Sequence, residues 1–184
     1  MQLSSKDLVW VDFCSMEALR QFEKQKPVSG IYIWGWFKHD NNFIPFYVGK
    51  HYNLHQRLFE HIGCLNGGLY TIYEKSLVLS GNFKPWRIDN TNLPIYSPIG
   101  VGNFIDVFMS ENVQNAVKWY VANIQFTWMI TDPSDNEYLE KYVALKLEQK
   151  GYFVSSFIRG YKNINEPDQM ITFGGNSQIV NMLI

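Results

Sequence analysis

The amino-acid sequence predicts an α+β domain centred on an antiparallel hairpin that runs directly into an amphipathic helix. Three observations predict it. Gly30 to Phe37 (GIYIWGWF) is uncharged and rich in aromatic and β-branched residues, and a second short run of this kind spans Phe43 to Val48. The cluster His39-Asp40-Asn41-Asn42 between them favours a turn. After Gly49-Lys50 the period changes: Leu54, Leu58 and Ile62 recur at every fourth position, while Arg57 and His61 share a neighbouring face.

Two such strands joined by a polar turn pair as a hairpin, so Tyr32 on the first and Tyr47 on the second are expected to lie side by side. The helix has predicted ends as well. Asn53 is the expected N-cap, with Gln56 three residues on in an arrangement like the capping box, and Gly63 is the expected stop.

The rest of the chain is read in order. Trp10 and Phe13 are core residues, and Ser15 caps a helix expected to run through Gln25 until Pro27 separates it from the hairpin. Leu69 to Leu79 fits helix or strand. Ser80 to Asn103 is rich in Gly, Pro and Asn and longer than most connections, which makes it a functional loop or an insertion; its Lys84, Trp86 and Arg87 suit a phosphate or base contact, although a Trp pinning the loop to the core is the commoner outcome. Phe104 to Met109 reads as a strand, and Ser110 opens a helix with the apolar stripe Val113, Val117, Tyr120 and Val121. Ile124 to Ile130 is a further strand. Asp132-Pro133-Ser134-Asp135 starts a helix that ends at Lys150 before Gly151, burying Leu139, Tyr142, Val143 and Leu145. The tail from Tyr152 to Ile184 reads as a strand to Ile158, then as loop without a chemical motif.

With 184 residues the chain suits one domain, and charged residues at 18% against 46% hydrophobic exclude a disordered chain. Cys14 and Cys64 form neither a metal spacing nor a disulfide framework, as expected in a reducing compartment. The first residues lack signal-peptide character and no apolar run approaches the ~20 residues of a membrane span, so the expectation is a soluble cytoplasmic protein without a membrane partner. A net charge of −1 does not favour nucleic acid. Locally, however, Lys50, His51, His55, Arg57 and His61 fall within twelve residues with Glu60 the only acid among them, which allows a basic patch on a neutral protein.

These residues resemble the GIY-YIG nucleases. Gly30-Ile31-Tyr32 matches the first signature tripeptide, Tyr47-Val48-Gly49 matches the second with Val for Ile, and Arg57 falls on the following helix where the family has its catalytic arginine. The 14 residues between Tyr32 and Tyr47 exceed the family's usual spacing and imply a longer hairpin. On the helix predicted to end at Lys150, the context Tyr138-Leu139-Glu140-Lys141-Tyr142 is similar to that of the family's glutamate; Glu140 is the match and Glu137 the reserve. The resemblance spans about residues 29–151, leaving 80–103 as a long loop or insertion and 152–184 as a C-terminal extension.

The resemblance implies a small central antiparallel sheet flanked by helices, with the tyrosines and Arg57 facing a shallow groove. It also implies a metal-dependent endonuclease acting on DNA, of a stand-alone restriction or phage type. Glu140 would hold one Mg²⁺ or Mn²⁺, which binds through one or two carboxylates plus water and phosphate, so a single protein ligand suffices. Arg57 would offer the phosphate a planar, permanently charged fork. Tyr32 would be the base, with Tyr47 orienting the water or phosphate and nearby cations, His61 among them, lowering the phenol; His61 is the alternative base because its intrinsic pKa is better suited. Gly49 and Lys50 would approach the substrate phosphate. Cutting two strands with one site per chain favours two copies, which makes a homodimer a partner to consider. The competing expectation is a non-catalytic protein of this fold that binds DNA or a protein partner, favoured by the neutral net charge.

Overall fold

The computed structural model describes residues 3, 8–19, 21, 26–67, 72–73, 75–80, 95–96, 111–152, 164 and 170–184. Among these, a four-stranded antiparallel sheet lies between two helical layers. Its strands are β2 (Cys14–Ser15), β3 (Gly30–Phe37), β4 (Phe43–His51) and β7 (Gln125–Ile130), in the spatial order β2-β7-β3-β4. Two-stranded pairs accompany it: β1 (Leu8–Trp10) lies parallel to β8 (Phe173–Gly175), and β5 (Ile72–Tyr73) antiparallel to β6 (Ile95–Tyr96). The helices are α1 (Met16–Leu19), α2 (Leu54–Asn66), α3 (Lys75–Ser80), α4 (Glu111–Asn123), α5 (Asn136–Gln149) and α6 (Ser177–Leu183).

The strand alternation separates two cores. Tyr32, Trp34 and Trp36 point to one face of β3, where Leu54, Leu58, Ile62 and Leu65 of α2 and Val117 and Tyr120 of α4 cover them. Ile31 and Ile33 point to the other, where Leu139, Val143 and Leu147 of α5 and Ile179 and Leu183 of α6 meet them. Because β3 is hydrogen-bonded on both sides and buried on both faces, it carries no charge along its length.

The predicted turn forms as expected: Lys38 N–H donates to the Asn42 carbonyl at 2.9 Å, and Asn41 adopts φ 60°. Helix α2 begins as the sequence indicates, with Asn53 Oδ1 accepting from Gln56 N–H at 3.4 Å. It does not stop at Gly63. A methyl group at Gly63 would meet nothing within 4 Å, the backbone there is ordinary helix, and the chain turns out only at Gly67, whose N–H bonds the Gly63 carbonyl at 2.8 Å.

Three other expectations change. Among the described residues of 69–79 both elements occur, the short strand β5 and then α3. Within 80–103, Ile95–Tyr96 is a strand paired to β5; Lys84, Trp86 and Arg87 lie outside the described residues, as do the strand expected at 104–109 and the Ser110 cap. The tail is built into the fold from β8 onward: Asn176 caps α6 by accepting from Gln178 and Ile179 N–H, and Gln178 Oε1 accepts from Phe43 N–H at 3.1 Å while its Nε2 donates to the Asn41 carbonyl at 3.2 Å. The C-terminal helix thus clasps the hairpin turn, and its Ile179, Met182 and Leu183 are spaced to bury one face. Of the helix expected from Ser15 to Gln25, Met16–Leu19 is described as helix, with Ser15 Oγ accepting from Ala18 N–H at 3.3 Å. No helix among the described residues is long and apolar enough to cross a membrane.

One polar knot fixes α5 against the sheet. Asn136 Nδ2 donates to Ser29 Oγ at 2.7 Å, Asn136 Oδ1 accepts from the Thr131 hydroxyl, and Thr131 N–H donates to the Ser29 carbonyl at 3.1 Å. Asn136 and Thr131 are buried, so this network sets where the first turns of α5 stand relative to the start of β3.

Candidate active site

A β-bulge determines which side chains meet. From the turn the hairpin pairs Phe37 with Phe43, Trp36 with Ile44 and Gly35 with Pro45; the register then shifts, so that Trp34 faces Tyr47 and Tyr32 faces Gly49. Continued without the shift, the register would set Tyr47 opposite Ile33, on the far face from Tyr32. The one extra residue turns Tyr47 onto the Tyr32 face, which is how bulges re-aim side chains. The two phenols are therefore diagonal neighbours rather than directly opposed, their rings 6.0 Å apart and nearly parallel at 19°.

Gly49 makes that approach possible. A methyl group there would overlap the Tyr32 hydroxyl and stand 2.5 Å from Tyr32 Cζ and 2.7 Å from Tyr47 Cε1. Both rings occupy the space a side chain would take.

Helix α2 lies across this face with its two flanks on different neighbours. One flank brings His61 to the tyrosines: His61 Nε2 is 2.6 Å from Tyr32 Oη, and its ring centroid is 4.9 Å from that of Tyr47. One turn earlier, Arg57 is close enough to Tyr47 to hydrogen-bond its phenol. The other flank sets His55 edge-on to Trp128, where a cavity of about 490 Å³ is bounded by Val11, Cys14, Val28, His55 and Trp128.

Glu140 arrives from the opposite layer. Helix α5 packs on the other face of the sheet, but β4 is the edge strand, and Glu140 reaches the Lys50 ammonium at 3.4 Å and bears electrostatically on Tyr47. Its side chain is 12% exposed, against 68% for Glu137, which pairs with Lys141 at 2.7 Å and with Lys50 at 3.9 Å. Of the two glutamates singled out in the sequence, Glu140 is the one turned toward the tyrosines. All seven residues singled out, Tyr32, Tyr47, Gly49, Lys50, Arg57, His61 and Glu140, thus gather around β4, the edge strand among the described residues, and the adjoining flank of α2.

The electrostatics correct one expectation. His61 is fully buried, and that burial, with Arg57 and His51 adding to it, pushes its pKa down to about 3. It is a neutral imidazole near pH 7 and not a cation that lowers a phenol. Burial likewise pushes the Tyr47 phenol up, Glu140 reinforcing this and Arg57 and Tyr32 opposing it. Glu140 is raised by burial against the pull of Lys50, whereas Glu60 is lowered, first by its hydrogen bond from Arg57.

Because an unfolded histidine titrates near 6.5, the unfolded chain takes up a proton that His61 refuses until about pH 3. Stability from this group is complete above pH 6.5 and is lost progressively as pH falls from 6.5 toward 3. Urea midpoints should therefore drop between pH 7 and 5, less steeply in His61→Gln, and the His61 imidazole nitrogens should keep neutral chemical shifts at pH 5. A protonated ring at pH 5 in the folded protein would contradict the assignment.

Glu60 is the site residue that sequence reasoning passed over. Its Oε2 accepts from Arg57 Nη1 at 2.8 Å, an i,i+3 pair that holds the guanidinium on the helix surface. That spacing was the available signal. Among the described residues no three His, Cys, Asp or Glu side chains group as a metal site. Glu140 is a single carboxylate beside Lys50, and a hard divalent cation there would take its other positions from water and a ligand phosphate. A scan of protein-family models matches none, and searches of curated proteins and of solved structures return no match for this chain.

Proposed function

We propose that the protein is a metal-dependent endonuclease of the GIY-YIG type, hydrolysing DNA phosphodiester bonds at the β4 edge. The observation that carries this reading is the Tyr32–His61 contact of 2.6 Å, set between Tyr47 and Arg57 on one flank of α2 with Glu140 at the rim. A phenol hydrogen-bonded to a neutral buried imidazole is a proton relay. With His61 protonated on Nδ1, the Tyr32 hydroxyl donates to Nε2; as Tyr32 Oη takes a proton from the attacking water, it passes its own to His61. The two bases open to choice in the sequence thereby act as one.

Arg57 binds the scissile phosphate through its planar fork. Its resting pair with Glu60 is partly exposed, and such pairs are worth about 0–1 kcal/mol, so phosphate exchanges with the carboxylate at little cost. Burial is the main cause of the low His61 pKa and persists in the complex; pairing Arg57 with phosphate relieves only the smaller contribution of that charge. Tyr47 orients the phosphate beside Arg57. Lys50 exchanges its contact with Glu140 for a phosphate oxygen. Glu140 would hold one Mg²⁺ or Mn²⁺, which supplies Lewis acidity and charge neutralisation at the phosphate when bound.

Incubation of the purified protein with supercoiled plasmid tests this. Nicking or linearisation should require Mg²⁺ or Mn²⁺, stop in EDTA, and fall at least about 100-fold in Glu140→Ala. DNA binding with no cleavage under any metal would replace this reading with that of a non-catalytic binding protein, and cleavage that Glu140→Ala retains would remove Glu140 as the residue that holds the metal.

A further inference from the structure

Tyr52 is out of character with the rest of the chain. Aromatic residues make up 16% of the sequence, and among those whose burial is described every other one is buried or half-buried. Tyr52 is 69% exposed. It follows β4 directly, in the two-residue link to α2, so in the chain it falls between Gly49 and Lys50 at the end of the strand and Arg57 near the start of the helix.

The ring is also supported from below. Tyr52 stacks on His51 with centroids 4.3 Å apart at 28°, and the His51 ring is fixed by Nδ1, which lies 2.9 Å from the Asn53 carbonyl and 3.1 Å from the Asn53 amide nitrogen. One face of the phenol is thus occupied by a fixed imidazole while most of the side chain remains in water. Folding does not require this exposure. A flat, pre-oriented aromatic face next to groups suited to phosphate is the arrangement on which unpaired nucleobases stack.

We infer that Tyr52, backed by His51, is a stacking platform for an unpaired DNA base next to the phosphate bound by Arg57 and Lys50, so that the preferred substrate is single-stranded or locally unpaired there. The inference rests on the DNA reading above and narrows its substrate class. Stacking needs a π-face and not a particular base, so the platform selects strand state rather than sequence. A base pair inside a duplex offers the platform only its edge, and only the two end pairs expose a face.

Fluorescence-anisotropy titration in EDTA separates this from catalysis, since binding is read without turnover. The probes are a 12-nucleotide single strand and its blunt duplex, with wild-type protein, Tyr52→Ala and Tyr52→Phe. The wild type should prefer the single strand. Tyr52→Ala should weaken single-strand binding by about tenfold with little change on the duplex, and Tyr52→Phe should stay within about twofold of wild type. Near-identical far-ultraviolet dichroism of the three proteins excludes misfolding, which an exposed position makes easy to satisfy. Equal single-strand affinity in Tyr52→Ala and wild type, an equal loss in Tyr52→Phe and Tyr52→Ala, or no single-strand binding by wild type would each overturn the platform. Metal-dependent plasmid cleavage beside any of these results would leave the nuclease reading standing, and single-strand binding lost in Tyr52→Ala without cleavage by wild type would do the reverse.

Discussion

Arg57→Ala should lower metal-dependent plasmid cleavage by about 10³-fold in single-turnover assays while lowering stability by no more than about 2 kcal/mol. Two facts of its setting decide the contrast. The guanidinium is 31% exposed and its ion pair with Glu60 is 40% exposed on the partner side, so losing that pair costs about 1 kcal/mol or less, and losing the contact with the Tyr47 phenol adds about 1 kcal/mol. On the proposed reading the same group contacts the scissile phosphate, and neither Lys50 nor any other side chain of the cluster offers a two-pronged contact in its place. Arg57→Lys should recover little, because an ammonium keeps the charge and loses the fork. Recovery of most activity by Lys would show that Arg57 serves as a general positive charge and would remove the reason for assigning it to the phosphate.

Gly49→Ala and Gly63→Ala should have opposite signs, although both replace hydrogen by methyl. At Gly49 the new methyl overlaps the Tyr32 hydroxyl and crowds Tyr47 Cε1 at 2.7 Å. Tyr32 is 1% exposed and held by His61 at 2.6 Å, so it cannot swing aside; overpacking of this kind destabilises by about 1–3 kcal/mol. A phenol displaced by even about 1 Å should also reduce cleavage by roughly 10²-fold. At Gly63 the methyl meets nothing within 4 Å in the body of α2, where Ala exceeds Gly in helix propensity by about 0.5–1 kcal/mol, so stability should rise and cleavage stay unchanged. Urea unfolding midpoints of the two variants give the test directly. A stable, active Gly49→Ala protein would mean that the tyrosines do not need their close approach.

Much of the frame was legible from local pattern. Charge-free β3, the polar turn, the four-residue period of α2 with its Asn53 cap, and β7 and α5 all follow from side-chain periodicity and capping, which depend on neighbours a few residues away. The errors share a cause. Glycine often ends a helix, which makes Gly63 the stop expected from sequence, yet the buried Leu65 extends the apolar face for one further turn and outweighs the propensity of one residue. The tail looked like loop because α6 is only seven residues long, and its stability comes from β1, α5 and the hairpin turn rather than from its own sequence.

For the site, the resemblance named Tyr32, Tyr47, Gly49, Lys50, Arg57, His61 and Glu140, and sequence order by itself determined that strand, turn, strand and helix would present all but Glu140 in succession. What only the tertiary structure decided is which of them touch. A single bulge residue places Tyr47 on the Tyr32 face instead of the opposite one, and no local propensity encodes a one-residue register shift across a hairpin. The fully buried position of His61 makes it neutral where sequence allowed a cation, because desolvation is a property of the packed neighbourhood. The resemblance makes Glu140 the match and Glu137 the reserve, and the structure adds their burial: the two sit three residues apart on one helix, and the Asn136–Ser29 anchor leaves Glu140 12% exposed and Glu137 68% exposed.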